Sequence, residues 1–332
     1  MYIVNRNKAV KVEAVTFSEL GLQEADIEEI LRCNIDMLCG EEESMLIVGR
    51  QVKNEKLGRS DLTAIDNNGS IVLIEIKRDI KDYEKKKEAF EFQAIRYAAS
   101  YATIESPDDL VKKVFAHYIE KYKDEFPMGS LTSYELGIRK LTEFLEVNDA
   151  VNDFNKKQNI ILVSSDFDEQ TLSAVAWLNS NGVDISCFKL VPYKLEESIF
   201  IDAVKILPLE DYDEYYVNLL DKTSPALKRG KSKPKQILPK IDSMLKWGVV
   251  KPGDVIVAKN HETEEGILLG NGNVKVNGEE MSMQTWLKQI YGWSSVQTYV
   301  FAIHKESGKA LYEIRREYLD KQTEEAISET ME

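Results

Sequence analysis

This chain of 332 residues is short of cysteine, of proline and of long apolar runs, and each shortage removes a class of explanation. Three cysteines, Cys33, Cys39 and Cys187, are an odd number without metal-like pairing, which argues against a disulfide framework and for a reduced, cytoplasmic setting. No stretch approaches the roughly 20 apolar residues that span a bilayer, and Met1 to Arg6 carry no signal-peptide core, so no membrane partner is expected. There is no Gly-x-x-x-x-Gly-Lys-Ser/Thr loop, so ATP-driven chemistry would need a partner chain. Positive charge is scarce as well: 43 Lys and Arg stand against 57 Asp and Glu, a net charge of −14. Such a balance excludes a protein that coats nucleic acid by charge alone. Binding to phosphate then needs a local basic groove or a divalent ion.

What remains is an ordinary soluble composition, 43% hydrophobic and 30% charged, in a chain long enough for two domains. Its most informative stretch is Gly58-Arg59-Ser60-Asp61 followed by Glu75-Ile76-Lys77. Residues 58–66 and 70–78 read as strands joined by an Asn67-Asn68-Gly69 turn. Centring that hairpin on Asn68 sets Asp61 opposite Glu75, and alternation along the strand puts Glu75 and Lys77 on one face. Like charges directly opposed at about 5 Å are destabilising. Two acids in that position, within strands as apolar as Ile71-Val72-Leu73-Ile74, point to a neutralising cation. Hard divalent ions take carboxylate oxygens, and a neighbouring lysine can orient or deprotonate a water and stabilise charge on phosphate. The plainer alternative is an exposed polar face with an ion pair worth at most about 1 kcal/mol. A one-residue register slip is another, and it would send the acids to opposite faces.

The remaining pattern predicts a mixed α/β sheet with helices on its faces. A helix capped by Ser18 carries Leu22, Ile27, Ile30, Leu31 and Met37, and Ser44 to Lys53 reads as a strand. Helices are expected over 82–103, 107–123, 133–147 and 168–179, and strands over 159–163 and 182–192. Residues 1–222 form the first domain. Residues 223–240, with six Lys or Arg, three prolines and no acid, read as a flexible basic linker or a phosphate-contacting arm. Residues 241–320 form a small α+β domain, with strands at 255–258, 266–269 and 297–304 and hairpin turns at Asn271-Gly272 and Asn277-Gly278. Helices are expected over 283–290 and 309–318, and an acidic tail, 321–332, is expected to fray.

Four segments of the first domain resemble the PD-(D/E)xK nuclease superfamily in its NucS-like branch: Ile47-Val48-Gly49-Arg50-Gln51, Gly58-Arg59-Ser60-Asp61, Ile74-Glu75-Ile76-Lys77-Arg78 and Gln93-Ala94-Ile95-Arg96-Tyr97. Ser60 stands where the superfamily's name has proline. The resemblance implies a restriction-endonuclease-like mixed sheet and a DNA endonuclease using Mg²⁺ or Mn²⁺. Asp61, Glu75 and the carbonyl of Ile76 would hold the metal. Lys77 would position or activate the attacking water, with Gln93 and Tyr97 beside it on one helix face. A first-helix glutamate usually completes such sites. Glu24, Glu28 and Glu29 compete, with Glu28 fitting best. Arg50, Arg59 and Arg78, with Lys228 and Arg229 of the linker, are candidate DNA contacts, and Arg50 and Arg59 are equally candidates for structural pairing with the first helix.

The second domain resembles the RAMA (restriction enzyme adenine methylase-associated) domain. The resemblance lies in Trp247-Gly248-Val249-Val250-Lys251-Pro252-Gly253-Asp254, Gly272 to Gly278, Tyr291-Gly292-Trp293 and Leu311-Tyr312-Glu313-Ile314-Arg315. It implies a DNA-reading role in restriction or phage defence, with Trp286, Tyr291, Trp293 and Tyr299 as candidates for a methyladenine pocket or, alternatively, as core. Competing functions are a non-catalytic DNA or modified-base reader on a nuclease scaffold and a nuclease for mismatched or branched DNA. A homodimer that cuts both strands is a further possibility.

Overall fold

The computed structural model describes residues 1–54, 58–82, 89–208 and 238–330. Lys228 and Arg229 of the expected linker lie outside the described residues. The chain divides into two compact units, Met1–Leu38 with Leu46–Lys235, and Cys39–Met45 with Gln236–Glu332. The short segment Cys39–Met45, which the sequence places in the first domain, therefore belongs to the second.

Unit 1 begins with an exposed hairpin, β1 (Tyr2–Asn5) and β2 (Lys8–Lys11), followed by helices α1 (Glu24–Cys33) and α2 (Asp36–Cys39). Gln23 and not Ser18 caps α1, closing a capping box with Asp26. Ser18 turns its hydroxyl to Asp79 instead. The central sheet contains β3 (Met45–Asn54), β4 (Gly58–Asp66), β5 (Ile71–Lys77), β6 (Gln158–Ser164), β7 (Ile185–Leu195) and β8 (Ser198–Leu207), in that spatial order. The β4–β5 and β7–β8 pairs are antiparallel, and β5–β6 and β6–β7 are parallel, so the sheet is mixed. Central strands of a mixed sheet with covered faces read as continuous apolar runs. All seven residues of β5 are accordingly buried, including Glu75 and Lys77.

Helices α3 (Phe90–Tyr101), α4 (Pro107–Leu110), α5 (Ala116–Lys121), α6 (Ser133–Val147) and α7 (Glu169–Ser180) flank the sheet, and a π-helical turn, Val111–Phe115, joins α4 to α5. Both the α6 and α7 starts are capped as their sequences require, by Thr132 and Asp168. Strand β8 is absent from the sequence-based expectation, because its hairpin turns on Glu196 at φ 53° without the usual glycine or asparagine.

Unit 2 contains β9 (Val255–Ala258), β10 (His261–Leu268), β11 (Val274–Val276), β12 (Glu279–Met281), β13 (Ala302–His304) and β14 (Lys309–Ala310), which form an antiparallel sheet ordered β12-β11-β10-β9-β13-β14. Its helices are α8 (Ile241–Trp247), α9 (Met283–Tyr291), α10 (Thr298–Phe301) and α11 (Leu311–Thr330). The strand expected over 297–304 is half helix. Thr298 N–H donates to the Glu41 carbonyl at 2.8 Å and its hydroxyl to Gln284 Oε1 at 2.8 Å, which fixes the chain in a turn before β13. As far as Thr330 the tail expected to fray continues α11, within which Arg316 and Asp320 pair one turn apart at 3.7 Å.

Segment Cys39–Met45 is bound into this unit by its backbone. Met45 N–H donates to the Ser295 carbonyl at 3.1 Å, the Ser295 hydroxyl to the Glu43 carbonyl at 2.9 Å, and Gln297 N–H to the Ser44 hydroxyl at 2.9 Å. Arg315 reaches Glu42 at 2.9 Å while lying over the Tyr299 ring at 4.2 Å.

Candidate metal centre

The β4–β5 ladder pairs Leu62 with Ile74, Thr63 with Leu73, Ala64 with Val72 and Ile65 with Ile71. One step beyond Leu62 and Ile74, the same register opposes Asp61 and Glu75, as the Asn-Asn-Gly turn predicts. Asp66 Oδ1 accepts the N–H groups of Asn68 and Ser70, each at 2.9 Å, and so locks that turn. Both catalytic candidates are deeply enclosed: Asp61 is 4% exposed and Glu75 2%.

Helix α1 supplies the remaining acids. Glu24 and Glu28 are four residues apart and share a face, and carboxylate oxygens of Glu24, Glu28 and Asp61 lie within 4.8 Å of one another. These three acids form a cluster able to hold a metal ion. Glu29, the third competitor, is turned away and pairs with Arg32 at 2.6 Å and with Arg50. Lys77 Nζ is set among the carboxylates, 3.3 Å from Glu75 Oε1, 3.6 Å from Glu24 Oε1 and 3.9 Å from Asp61 Oδ2. It donates to the Ile76 carbonyl at 2.8 Å and lies 5.4 Å from the centre of the Phe90 ring.

The electrostatics follow from burial. Removal from water pushes the carboxyl of Asp61 well above its ordinary range, against the pull of Lys77 and of the Ile76 N–H that donates to Asp61 Oδ2 at 2.7 Å. Glu75 rises for the same reason, and repulsion from Asp61 adds to it. Glu28 is raised by burial although Arg50 opposes the shift. Lys77 rises because Glu75, Asp61 and Glu24 together outweigh its own desolvation, so it stays an ammonium. Lys77, with Arg50 at Glu28, leaves Glu24, Glu28, Asp61 and Glu75 outnumbering the cations beside them.

Two more observations bear on whether a hard cation fits. The donor set is all oxygen, the chemistry such ions prefer. The Ser164 hydroxyl, 1% exposed and next to Lys77 in the β5–β6 ladder, has no hydrogen-bond partner among the described residues. A buried polar group left unmatched calls for a partner such as a water or an ion.

The other predicted residues sort into two groups. Gln93 and Tyr97 lie on α3, and Gln93 Nε2 approaches the Tyr97 hydroxyl at 3.5 Å. Tyr97 senses the charges of Glu75, Asp61 and Lys77, which places it by the acids, and its burial raises the phenol. The same hydroxyl lies 3.0 Å from where a β-carbon on Gly58 would stand, at φ 100°, so the glycine opening β4 is required on both counts.

Arg50 is used inside the protein. It donates to Glu28 at 3.2 Å, to Glu29, to the Tyr122 hydroxyl at 2.9 Å and to the Ala25 carbonyl at 2.9 Å. Arg78 meets Gln23 at 3.1 Å and Asp79 at 3.7 Å. Of these three arginines, Arg59 is the exposed one. Sequence reasoning missed Gln51 as a site residue. Its amide nitrogen donates to both Glu28 and Asp61, and nothing in a strand-like run marks such a glutamine.

The four aromatic residues proposed for a modified-base pocket are the core of unit 2. Trp286, Tyr291, Trp293 and Tyr299 are each 5% exposed or less. Tyr291 packs on Trp293 at 4.8 Å and on Phe301 at 5.0 Å, and the Tyr299 hydroxyl accepts the Ile241 N–H at 2.8 Å. Their burial fits the core alternative and not an open pocket. Among the described residues no helix is long and apolar enough to cross a membrane. No protein-family model matches the chain, and none of the curated proteins compared with it matches in sequence.

Proposed function

We propose that this protein is a divalent-metal-dependent DNA endonuclease of the PD-(D/E)xK type, with unit 2 directing it to its substrate. The observation that carries this reading is the buried juxtaposition of Asp61 and Glu75 across one hairpin, joined by Glu24 and Glu28 from α1 and by a charged Lys77. Burying like charges is costly unless they are paired or bind a metal, and nothing about folding a β-hairpin requires it.

Asp61, Glu75 and the Ile76 carbonyl would hold a Mg²⁺ or Mn²⁺ ion, with Glu28 completing the set. Bound there, the ion would lower the pKa of a water and polarise the phosphodiester. The roles of the side chains follow from their positions. Lys77, among the acids, would act by donation, orienting the attacking water and facing the developing phosphorane charge. Gln93 and Tyr97 border the acids on α3 and offer neutral donors to a scissile phosphate. Arg59 is the accessible cation for the flanking backbone, in an acidic chain whose affinity for DNA is expected to depend on the metal and on salt.

The test is cleavage of plasmid DNA by the full chain with Mg²⁺ or Mn²⁺, beside Asp61→Ala and Lys77→Ala proteins of unchanged circular dichroism. Cleavage in the wild type lost in both variants supports the reading. Activity retained by both defeats it.

A further inference from the structure

Between the helix acid and the hairpin acid stands a neutral side chain. Gln51 Nε2 donates to Glu28 Oε1 at 2.7 Å and to Asp61 Oδ1 at 3.1 Å. The two hydrogens of an amide nitrogen diverge by about 120°, so one nitrogen that serves both acids fixes how far apart those oxygens sit. The second oxygen of each acid is also tied: Asp61 Oδ2 by the Ile76 N–H at 2.7 Å, and Glu28 Oε2 by Arg50 Nε at 3.2 Å. Each acid is thus oriented from two sides before any ion enters.

The backbone adds an independent sign. Gln51 has φ 53° within a strand, the left-handed region that residues with a β-carbon avoid and glycine adopts freely. Backbone strain of this kind persists where the surroundings impose it, and it clusters at functional sites. Here it aims the side chain between two acids.

We propose that Gln51 is a positioning residue that sets the separation of Glu28 and Asp61, and thereby the size of ion the cage accepts, favouring Mg²⁺ over Ca²⁺. The inference rests on the metal-dependent reading above. Mg²⁺ demands near-octahedral oxygens at about 2.1 Å, whereas Ca²⁺ tolerates about 2.3–2.6 Å and irregular geometry. A strut between two ligands therefore favours the smaller ion, and a loose cage adapts to the larger one. Loss of such an outer partner typically weakens metal binding about 10- to 100-fold.

The experiment is calorimetric titration of Mg²⁺ and of Ca²⁺ into the full-length wild type, Gln51→Gly, Gln51→Asn and Asp61→Ala. Glycine removes the strut and suits the backbone, so Gln51→Gly should melt in EDTA at or above the wild-type temperature. Its Mg²⁺ affinity should fall about 10- to 100-fold. Ca²⁺ affinity should fall less, shrinking the Mg²⁺ preference. Asparagine also tolerates the left-handed region but is one methylene too short to span both acids, so Gln51→Asn should behave like Gln51→Gly. An unchanged Mg²⁺ to Ca²⁺ preference in both variants, with the wild-type ion still lost in Asp61→Ala, overturns this inference alone. A wild type that binds neither ion at a site sensitive to Asp61→Ala overturns the metal reading with it.

Discussion

Unit 1 and unit 2 each bury a conspicuous cluster, and the two clusters are opposites. In unit 2, Tyr291, Trp293 and Phe301 pack ring against ring, Trp286 and Tyr299 are just as buried, and the two hydroxyls find partners: that of Tyr299 meets the Ile241 N–H, and that of Tyr291 meets the Lys259 carbonyl. In unit 1, Asp61, Glu75 and Glu28 are buried to a similar degree, but burial there raises every one of their carboxyls. Burying an aromatic ring stabilises a fold, whereas burying clustered carboxylates opposes it. Enclosure alone therefore says little about function. The sign of its free energy says much more.

That contrast breaks first under truncation. Trp286→Ala should destabilise unit 2 by about 3–5 kcal/mol, the range for deleting a fully buried indole. Glu75→Gln should do the reverse in unit 1, stabilising the protein in EDTA by about 1 kcal/mol, the worth of roughly one pKa unit, because it removes a repulsive charge and keeps the shape. Chemical denaturation of both variants in EDTA checks the pair. A loss of stability in Glu75→Gln as large as in Trp286→Ala would show that the acids are structural ion-pair members and nothing more.

A smaller effect follows from pH. The folded-state pKa values of Asp61 and Glu75 are raised above their unfolded values. Their contribution to stability is therefore fully present below the usual carboxylate range and is lost as the pH rises through neutrality. In EDTA the melting temperature should fall from about pH 5 to about pH 8, where ordinary proteins are near their maximum. Added Mg²⁺ should restore it most at the upper end, since the ion competes with protons for the same oxygens. A melting curve flat with pH in both conditions would remove the raised carboxyls from the account.

Which parts of this were legible in the sequence follows from how local each determinant is. The hairpin register was, because Asn-Asn-Gly and the alternation around it are short-range signals that set Asp61 opposite Glu75. The helix acids were too: a spacing of four places Glu24 and Glu28 together and rotates Glu29 away. Gln51 was not, since a left-handed residue inside a strand comes from what surrounds it. Nor was the second strand of the β7–β8 hairpin, which turns on Glu196 at positive φ without a turn-forming residue. The membership of Cys39–Met45 in unit 2 depends on backbone hydrogen bonds to residues some 250 positions later in sequence, such as Met45 to Ser295, which no local pattern encodes. The aromatic residues of unit 2 were legible as a cluster, but sequence alone does not say whether rings face a ligand or each other.

The finest comparison lies between two arginines nine positions apart. Arg50 has its guanidinium committed to Glu28, Glu29, Tyr122 and the Ala25 carbonyl, whereas Arg59 is exposed at the start of β4. Both read alike in sequence, as a basic residue after a glycine next to the acids. Substitution should separate them. Arg59→Ala should leave the melting temperature within about a degree of wild type, as exposed substitutions usually do. It should weaken DNA binding only a few-fold and lower the slope of log affinity against log salt by about 1, the signature of one lost phosphate contact. Arg50→Ala should leave that salt slope alone and instead loosen Glu28, lowering both the melting temperature and the affinity for Mg²⁺. Fluorescence anisotropy with a labelled duplex across a salt series gives the slopes, and identical slopes for Arg59→Ala and wild type would place the DNA backbone on another face of the molecule.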